Sequence, residues 1–203
     1  KGKIAGSAQE LPKVVSKKAK KGTVGLIVLR SYLLAGNTGH YDGIIAALES
    51  HGIEVIPCFS MGLDARPAIE KFFFSNGKAK IDTLLSLTGF SLVGGPAYND
   101  SEAAKVMLGT LNVPYISAHP LEFQSLDAWE DSATGLLPVE NTIMVAIPEL
   151  DGAVSPMVYG GRRELKSTAE NSNISKLDAS GDSSLEMTFC SERVSKLAGK
   201  IEK

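Results

Sequence analysis

The chain has 203 residues, of which 43% are hydrophobic and 22% charged, with a formal net charge of −2. That length builds one α/β domain with a sizeable core, or one domain plus an appendage. The charge balance leaves no concentrated basic face for nucleic acid, and no apolar run approaches the ~20 residues of a membrane span.

The first residues lack the charged, apolar and cleavage regions of a signal peptide, so an intracellular chain is expected. The chain starts at Lys rather than Met, which suits an excised fragment. Cys58 and Cys190 belong to no Cys-x-x-Cys unit and read as free thiols, without a disulfide framework or structural zinc. Residues 1–22 form a basic segment. The stretch Lys13–Lys21, with five lysines (Lys13, Lys17, Lys18, Lys20, Lys21), reads as the solvated face of a terminal helix.

Four strand-then-helix units follow. Thr23–Leu29 is a near-continuous apolar run, as in a strand buried on both faces. A turn with Gly36, Asn37 and Gly39 leads to a helix whose Tyr41, Ile44, Ile45 and Leu48 make one stripe, with Gly52 as its stop. Ile53–Phe59 is the second strand, and Pro67–Phe74 a helix with Ile69, Phe72 and Phe73 inward. Ile81–Thr88 is the third strand. It runs through Gly94, Gly95 and Pro96 to a helix opening at Asn99, where Asn99 and Glu102 have capping-box spacing. That helix, about Ser101–Leu111, puts Ala104, Met107, Leu108 and Leu111 on one stripe, and Val113–Ser117 is the fourth strand.

This alternation predicts a flavodoxin-like or Rossmann-like α/β fold over 23–162, a parallel sheet with helices on both faces. Ligands then belong at strand C-termini: Arg30–His40, Ser60–Arg66, Gly89–Asp100 and His119–Gln124. Glycines permit close backbone approach, so the block 87–100 reads as a site more than as packing. Further on, a short helix around Trp129 and a helix over Pro138–Ala146 are expected. Pro148–Gly152 then leads into a short strand, Met157–Tyr159. Residues 163–188 are Ser-rich and read as a linker or mobile insertion. The short C-terminal extension, 189–203, is a helix capped by Ser191. Its stripe of Val194, Leu197, Ala198 and Ile201 packs on this domain or docks on a missing one.

No Walker A loop, no Gly-x-Gly-x-x-Gly helix opening and no Gly-x-Ser-x-Gly elbow is present. What remains is polar residues at predicted loop positions: Arg30, Asn37 and His40; His119 and Glu122; Glu149 and Asp151. Carboxylates with imidazoles suit holding a divalent cation or accepting protons near neutral pH. Each has a plainer reading. His40 can cap a helix, His119 can close a strand, Glu122 can be solvated, Asp151 can serve the turn before Gly152, and Trp129 can be core. His51, late in its helix, suits the helix dipole.

Five segments together carry a family resemblance: 30–42 (RSYLLAGNTGHYD), 62–70 (GLDARPAIE), 86–100 (SLTGFSLVGGPAYND), 119–124 (HPLEFQ) and 148–153 (PELDGA). The chain resembles the large, porphyrin-binding (H) component of magnesium chelatase, with the likeness covering about 23–162 and a weaker echo in 189–203. The resemblance implies an internal domain of a much longer subunit that inserts Mg²⁺ into protoporphyrin IX in (bacterio)chlorophyll synthesis. It implies ATP bound by AAA+-type partner subunits rather than by this chain, in a bacterial cytoplasm or chloroplast stroma. It also implies an essential glutamate, carried onto Glu149 as base and transient Mg²⁺ ligand, with Asp151 as a second metal oxygen. His119 and Glu122 are further catalytic candidates. His40, Asn37, Arg30, Gly94 and Gly95 are the candidates facing porphyrin. The competing expectations are a cobalt-inserting subunit of cobalamin synthesis, a non-catalytic scaffold docking the ATPase subunits, and a generic flavodoxin-like binder.

Overall fold

The computed structural model describes residues 4–95, 97–164 and 185–202. After a single 3₁₀ turn at Ala8–Glu10 come β1 (Gly22–Ile27), α1 (Arg30–Ala35), α2 (Gly39–Ser50), β2 (Ile53–Cys58) and α3 (Arg66–Phe73). A small hairpin of β3 (Phe74–Ser75) and β4 (Lys78–Ala79) precedes β5 (Thr83–Ser86). A second hairpin, β6 (Gly94–Gly95) and β7 (Tyr98–Asn99), leads to α4 (Ser101–Leu111) and β8 (Tyr115–Ser125). Then follow α5 (Leu126–Glu130), a helix in three pieces over 138–151, β9 (Val154–Glu164), β10 (Leu185–Phe189) and α8 (Ser191–Ile201).

Six strands form one sheet in the order β10-β9-β8-β5-β1-β2. Every pair is parallel except β9 with β10, so the expected flavodoxin-like sheet is present with an antiparallel edge. Alternation along β1 divides the core. Val24, Leu26 and Val28 pack with Tyr41, Ile44 and Leu48 of α2 and with Val194, Leu197 and Ala198 of α8. Ile27 faces the other layer, with Ala68, Ile69 and Phe73 of α3 and Ala104, Met107 and Leu111 of α4. Gly25 faces the same layer as Ile27, where an added Cβ would stand 2.7 Å from the Ile81 side chain and 2.9 Å from the Phe73 ring. The closing helix therefore packs on this same domain, against α2.

Several expectations are corrected. Lys13–Lys20 contains turns and coil rather than helix, because no apolar stripe pins it down. Lys20 and Lys21 instead pair with Glu54 and Glu202. The cap of α4 is Asp100, whose carboxylate accepts from the Ala103 amide at 2.9 Å; Asn99 belongs to β7. The residue before α8 is Cys190, so Ser191 is its first turn and not its cap. Residues 163–164 and 185–188, expected in a linker, are strand; 165–184 lie outside the described residues.

Two corrections move site candidates. β8 continues to Ser125, so His119 and Glu122 stand on a strand instead of in a loop. The run from Pro120 pairs with Gly160, Gly161 and Arg162 of β9 across two register shifts, which lengthens both strands beyond their apolar cores. The helix expected to stop at Ala146 continues as α6 (Pro138–Glu140), a π turn (Asn141–Ala146) and α7 (Ile147–Asp151). Pro148 is tolerated because it sits in the first turn of α7, just after the wider π turn. Glu149 and Asp151 thus lie on a helix that ends at Gly152, where φ is 103°.

His40, in the first turn of α2, and His119 are fully buried, and among the described residues none of their ring nitrogens has a hydrogen-bond partner. Burial lowers both imidazoles to about 4, with the Arg193 charge adding to the effect at His119. The unfolded chain, with histidines near 6.5, therefore binds more protons between pH 6.5 and 4. Stability is fully present above that window and falls as the pH drops through it. The buried Asp151 carboxyl is shifted upward, so its protonation works in the opposite sense. The unfolding free energy from urea titrations is expected to fall between pH 7.5 and 5, by roughly 1 kcal/mol or more per histidine. The His40→Phe/His119→Phe double variant is expected to hold nearly level; an equally steep loss in that variant would assign the acid lability elsewhere.

β10 approaches β9 so closely that a Cβ at Gly160 would fall on the Thr188 carbonyl and 3.0 Å from Phe189 Cα. Both obstacles are backbone, which cannot rotate aside. Gly160→Ala is expected to lower stability by about 1–3 kcal/mol, read as a reduced thermal midpoint.

Candidate functional site

Strand order reverses at β1: β2 lies on one side, and β5, β8 and β9 on the other. A crevice at the C-terminal ends of β1 and β5 follows, because the chain leaves these two strands toward opposite faces. A cleft of about 330 Å³ occupies it. Its floor is Ile27, Val28 and Ser86, and its walls come from α1, the loop after β2 and the loop after β5. Arg30 lines it together with the hydroxyl-bearing residues Ser31, Ser60, Ser86, Thr88 and Ser91, the last with its hydroxyl turned to Asp151 behind the wall. The mouth is apolar: Leu34, Met61 and Leu63 line it while 62%, 77% and 57% exposed. Side chains this large and this exposed, grouped at one crevice, mark a contact surface. A larger hollow of about 540 Å³ between α3 and α4 has Arg66 and Glu70 at its edge but no comparable convergence of polar groups.

The wall over 89–95 is fixed from behind. Asp151, at the end of α7, is buried and accepts from Ser91 Oγ at 2.8 Å and from the Leu92 amide at 2.7 Å. Burial is the first cause of its raised pKa, with these two hydrogen bonds opposing it. Tyr115 lies beside Asp151 and Ser86, and burial together with the Asp151 charge pushes its phenol upward. The sequence marks Asp151 as a metal ligand; in the fold its Oδ2 braces the loop. Glu149, two residues earlier on α7, is exposed to solvent.

The sequence candidates separate into distinct places. Arg30 reaches the cleft. Asn37 closes α1, its amide donating to the Tyr32 carbonyl at 3.0 Å beside Gly36, whose φ is 72°. Gly94 and Gly95, expected at a ligand, are both held by packing. Gly94 has φ 119° and would drive a Cβ onto the Tyr98 carbonyl, and a Cβ on Gly95 would meet Leu63 Cδ1 at 2.7 Å. The block 87–100 thus supplies one wall of the cleft, its path set by close packing at Gly94 and Gly95.

His40 and Glu122 share one neighbourhood. The Tyr32 hydroxyl donates to Glu122 Oε1 at 2.9 Å, and the Tyr32 ring meets His40 edge-on at 4.9 Å between centroids. His40 lies 3.8 Å from the Tyr41 ring and 6.1 Å, stacked, from Tyr159. His119 points to the other face of β8, where the Gly89 and Met144 chain segments close over it. Neither imidazole is open to a ligand in this arrangement. Among the described residues, no three His, Cys, Asp or Glu side chains are grouped to hold a metal ion. Trp129 lies under the Arg193 guanidinium at 4.8 Å, and Arg193 also donates to the Val158 carbonyl at 2.6 Å, so this ring is packing. His51 pairs with Glu202 at 2.6 Å. Sequence reasoning misses Tyr32 and the serine hydroxyls. Tyr32 stands inside segment 30–42, but serines are too common in loops to signal a site.

A profile of the family described as CobN/Magnesium Chelatase matches residues 3–203. The chain is 48% identical over 198 residues to the magnesium-chelatase H protein of Cereibacter sphaeroides, covering 98% of this chain and 16% of that protein. It is 42% identical over 158 residues to the chloroplastic magnesium-chelatase ChlH protein of Oryza sativa subsp. indica, covering 76% and 11%. Among solved structures, the catalytic subunit of cobaltochelatase from Mycobacterium tuberculosis superposes with a TM-score of 0.65 over 88% of this chain and 14% of that one. At 22% identity, that likeness speaks for the fold alone. The chain thus spans less than a fifth of the curated relatives it matches. No described helix is long and apolar enough to cross a membrane. With the profile running over nearly its whole length, the chain belongs to the CobN/Magnesium Chelatase family.

Proposed function

We propose that the chain is a domain of the large (H) component of a magnesium chelatase, and that its switch-point cleft receives one edge of the tetrapyrrole substrate. The observation that carries this is the cleft itself: one arginine and a lining rich in serine and threonine behind an exposed apolar mouth. A tetrapyrrole has the matching chemistry, a flat apolar ring with carboxylate arms. At about 330 Å³ the cleft is at the small end of ligand pockets, so it suits an arm and a ring edge and leaves most of the macrocycle outside. The 48% identity to a magnesium-chelatase H protein supports the magnesium branch over a cobalt-inserting one.

In this reading Mg²⁺ and protoporphyrin IX are substrates. Insertion requires removal of two pyrrole protons and delivery of a hard cation that favours oxygen ligands. Glu149, exposed on α7, and Glu122, half-buried at the end of β8, are carboxylates that solvent can reach. Glu149 is the proposed base and transient Mg²⁺ ligand, and Glu122 a second proton acceptor. Arg30 faces a substrate carboxylate. AAA+-type partner subunits hydrolyse ATP, in a bacterial cytoplasm or chloroplast stroma.

Two measurements in the full-length protein test this. In fluorescence titrations, Arg30→Gln is expected to weaken binding of a porphyrin diacid roughly tenfold, while affinity for its dimethyl ester stays within about twofold. Equal weakening for both would remove Arg30 from carboxylate recognition. Glu149→Gln, assayed with the partner subunits and ATP, is expected to abolish Mg²⁺ insertion while porphyrin affinity stays within a few-fold. Turnover at the wild-type rate would take Glu149 out of the reaction.

A further inference from the structure

Outside the cleft, the Tyr32 phenol joins a buried aromatic layer to a half-buried carboxylate. Tyr32 lies in α1, between the buried ring layer of His40 and Tyr41 below and the Glu122 carboxylate above. Among the described residues, the 2.9 Å bond from its hydroxyl is the one hydrogen bond that Glu122 accepts. The Arg162 guanidinium, on β9, stands beside the same phenol. Burial first, and the Glu122 charge second, push the Tyr32 phenol upward, so it keeps its proton at neutral pH and remains a donor. Tyr41 and Tyr159 are the other titratable groups close enough to feel the Glu122 charge, and burial keeps both protonated.

Glu122 needs such a partner. It lies near the end of β8, where pairing with β9 breaks between Leu121 and Ser125, so the ladder does not fix its side chain. The Tyr32 ring, by contrast, is held edge-on against His40 and Tyr41, with centroids at 4.9 and 6.0 Å. A ring fixed on one side and a hydroxyl bonded on the other can hold a carboxylate in a single rotamer. We propose that Tyr32 is a positioning residue, which orients the Glu122 carboxylate toward the tetrapyrrole through its hydroxyl. The inference rests on the reading of Glu122 as a proton acceptor in the insertion reaction. Tyr32 touches neither substrate nor metal in it, and it neither gains nor loses a proton.

The test uses the full-length protein with its partner subunits, ATP, Mg²⁺ and protoporphyrin IX. Tyr32→Phe keeps the ring and its packing against His40 and Tyr41 and removes only the hydroxyl. It is expected to lower kcat roughly tenfold while the porphyrin KM stays within about twofold. Tyr32→Leu, which loses the ring as well, is expected to show a similar kcat. A purely structural role gives a different pattern: wild-type kcat in Tyr32→Phe and loss only in Tyr32→Leu, which overturns the proposal. A raised KM with unchanged kcat in Tyr32→Phe overturns it too. Glu122→Gln separates the two levels. Wild-type turnover there sinks the reading of Glu122 and the positioning role together, whereas loss there with wild-type kcat in Tyr32→Phe sinks the positioning role alone.

Discussion

The carboxylate of Asp151 ties the two ends of the site together. It sits at the last turn of α7, buried, and draws the Ser91 hydroxyl and the Leu92 amide onto one oxygen. Burying a carboxylate is costly unless donors replace its water, and these two donors are what make the position tolerable. In return the loop after β5, which has no helix of its own before α4, acquires a fixed path. That path brings Ser91 and Leu92 into the cleft wall and sets Val93 to bond the Asp100 amide that opens α4. A helix late in the chain thus determines the shape of a crevice whose floor comes from the first strand.

Two kinds of surface meet at the sheet's C-terminal edge. Toward the β1/β5 switch the surface is open, with hydroxyls, an arginine and exposed aliphatic side chains. Toward α2 it is closed by a layer of His40, Tyr41 and Tyr159, all fully or almost fully buried, with the half-buried Tyr32 and Glu122 at its rim. The first suits contact with a large flat molecule; the second suits holding a few groups in place. The buried His40 imidazole, without a partner among the described residues, belongs to the closed part, where it fills space as a neutral ring.

Much of the architecture was legible in the residues. The apolar run at β1 and the stripes of α2, α4 and α8 follow from periods that burial imposes on any strand or helix. The sheet order follows from alternating strands and helices with short connections. The candidate site was less legible. His119 and Glu122 look like loop residues because Pro120 and Glu122 interrupt an apolar run. Pairing with β9 nevertheless carries the strand past them, and pairing is a property of two segments about 40 residues apart. Glu149 and Asp151 look like a turn because Pro148 and Gly152 flank them, and only the preceding π turn lets the helix absorb that proline. The glycines of 89–95 carry a conformational signal, but the signal does not say whether a ligand or a neighbouring chain segment needs the room. Here Tyr98 and Leu63 need it.

The sequence by itself determined the α/β class, the parallel order of the central strands, the buried faces of the helices and the family. These depend on local periodicity and on motifs that survive in contiguous stretches. Only the tertiary structure decided which polar side chains are accessible and which meet: Arg30 at the cleft, Tyr32 on Glu122, Asp151 on Ser91, and both central histidines sealed in the interior. The reason is physical. Exposure and hydrogen-bond partnership depend on what the rest of the chain places within a few ångströms, and residues 60 or 90 positions apart leave no trace of that distance in their own neighbourhoods.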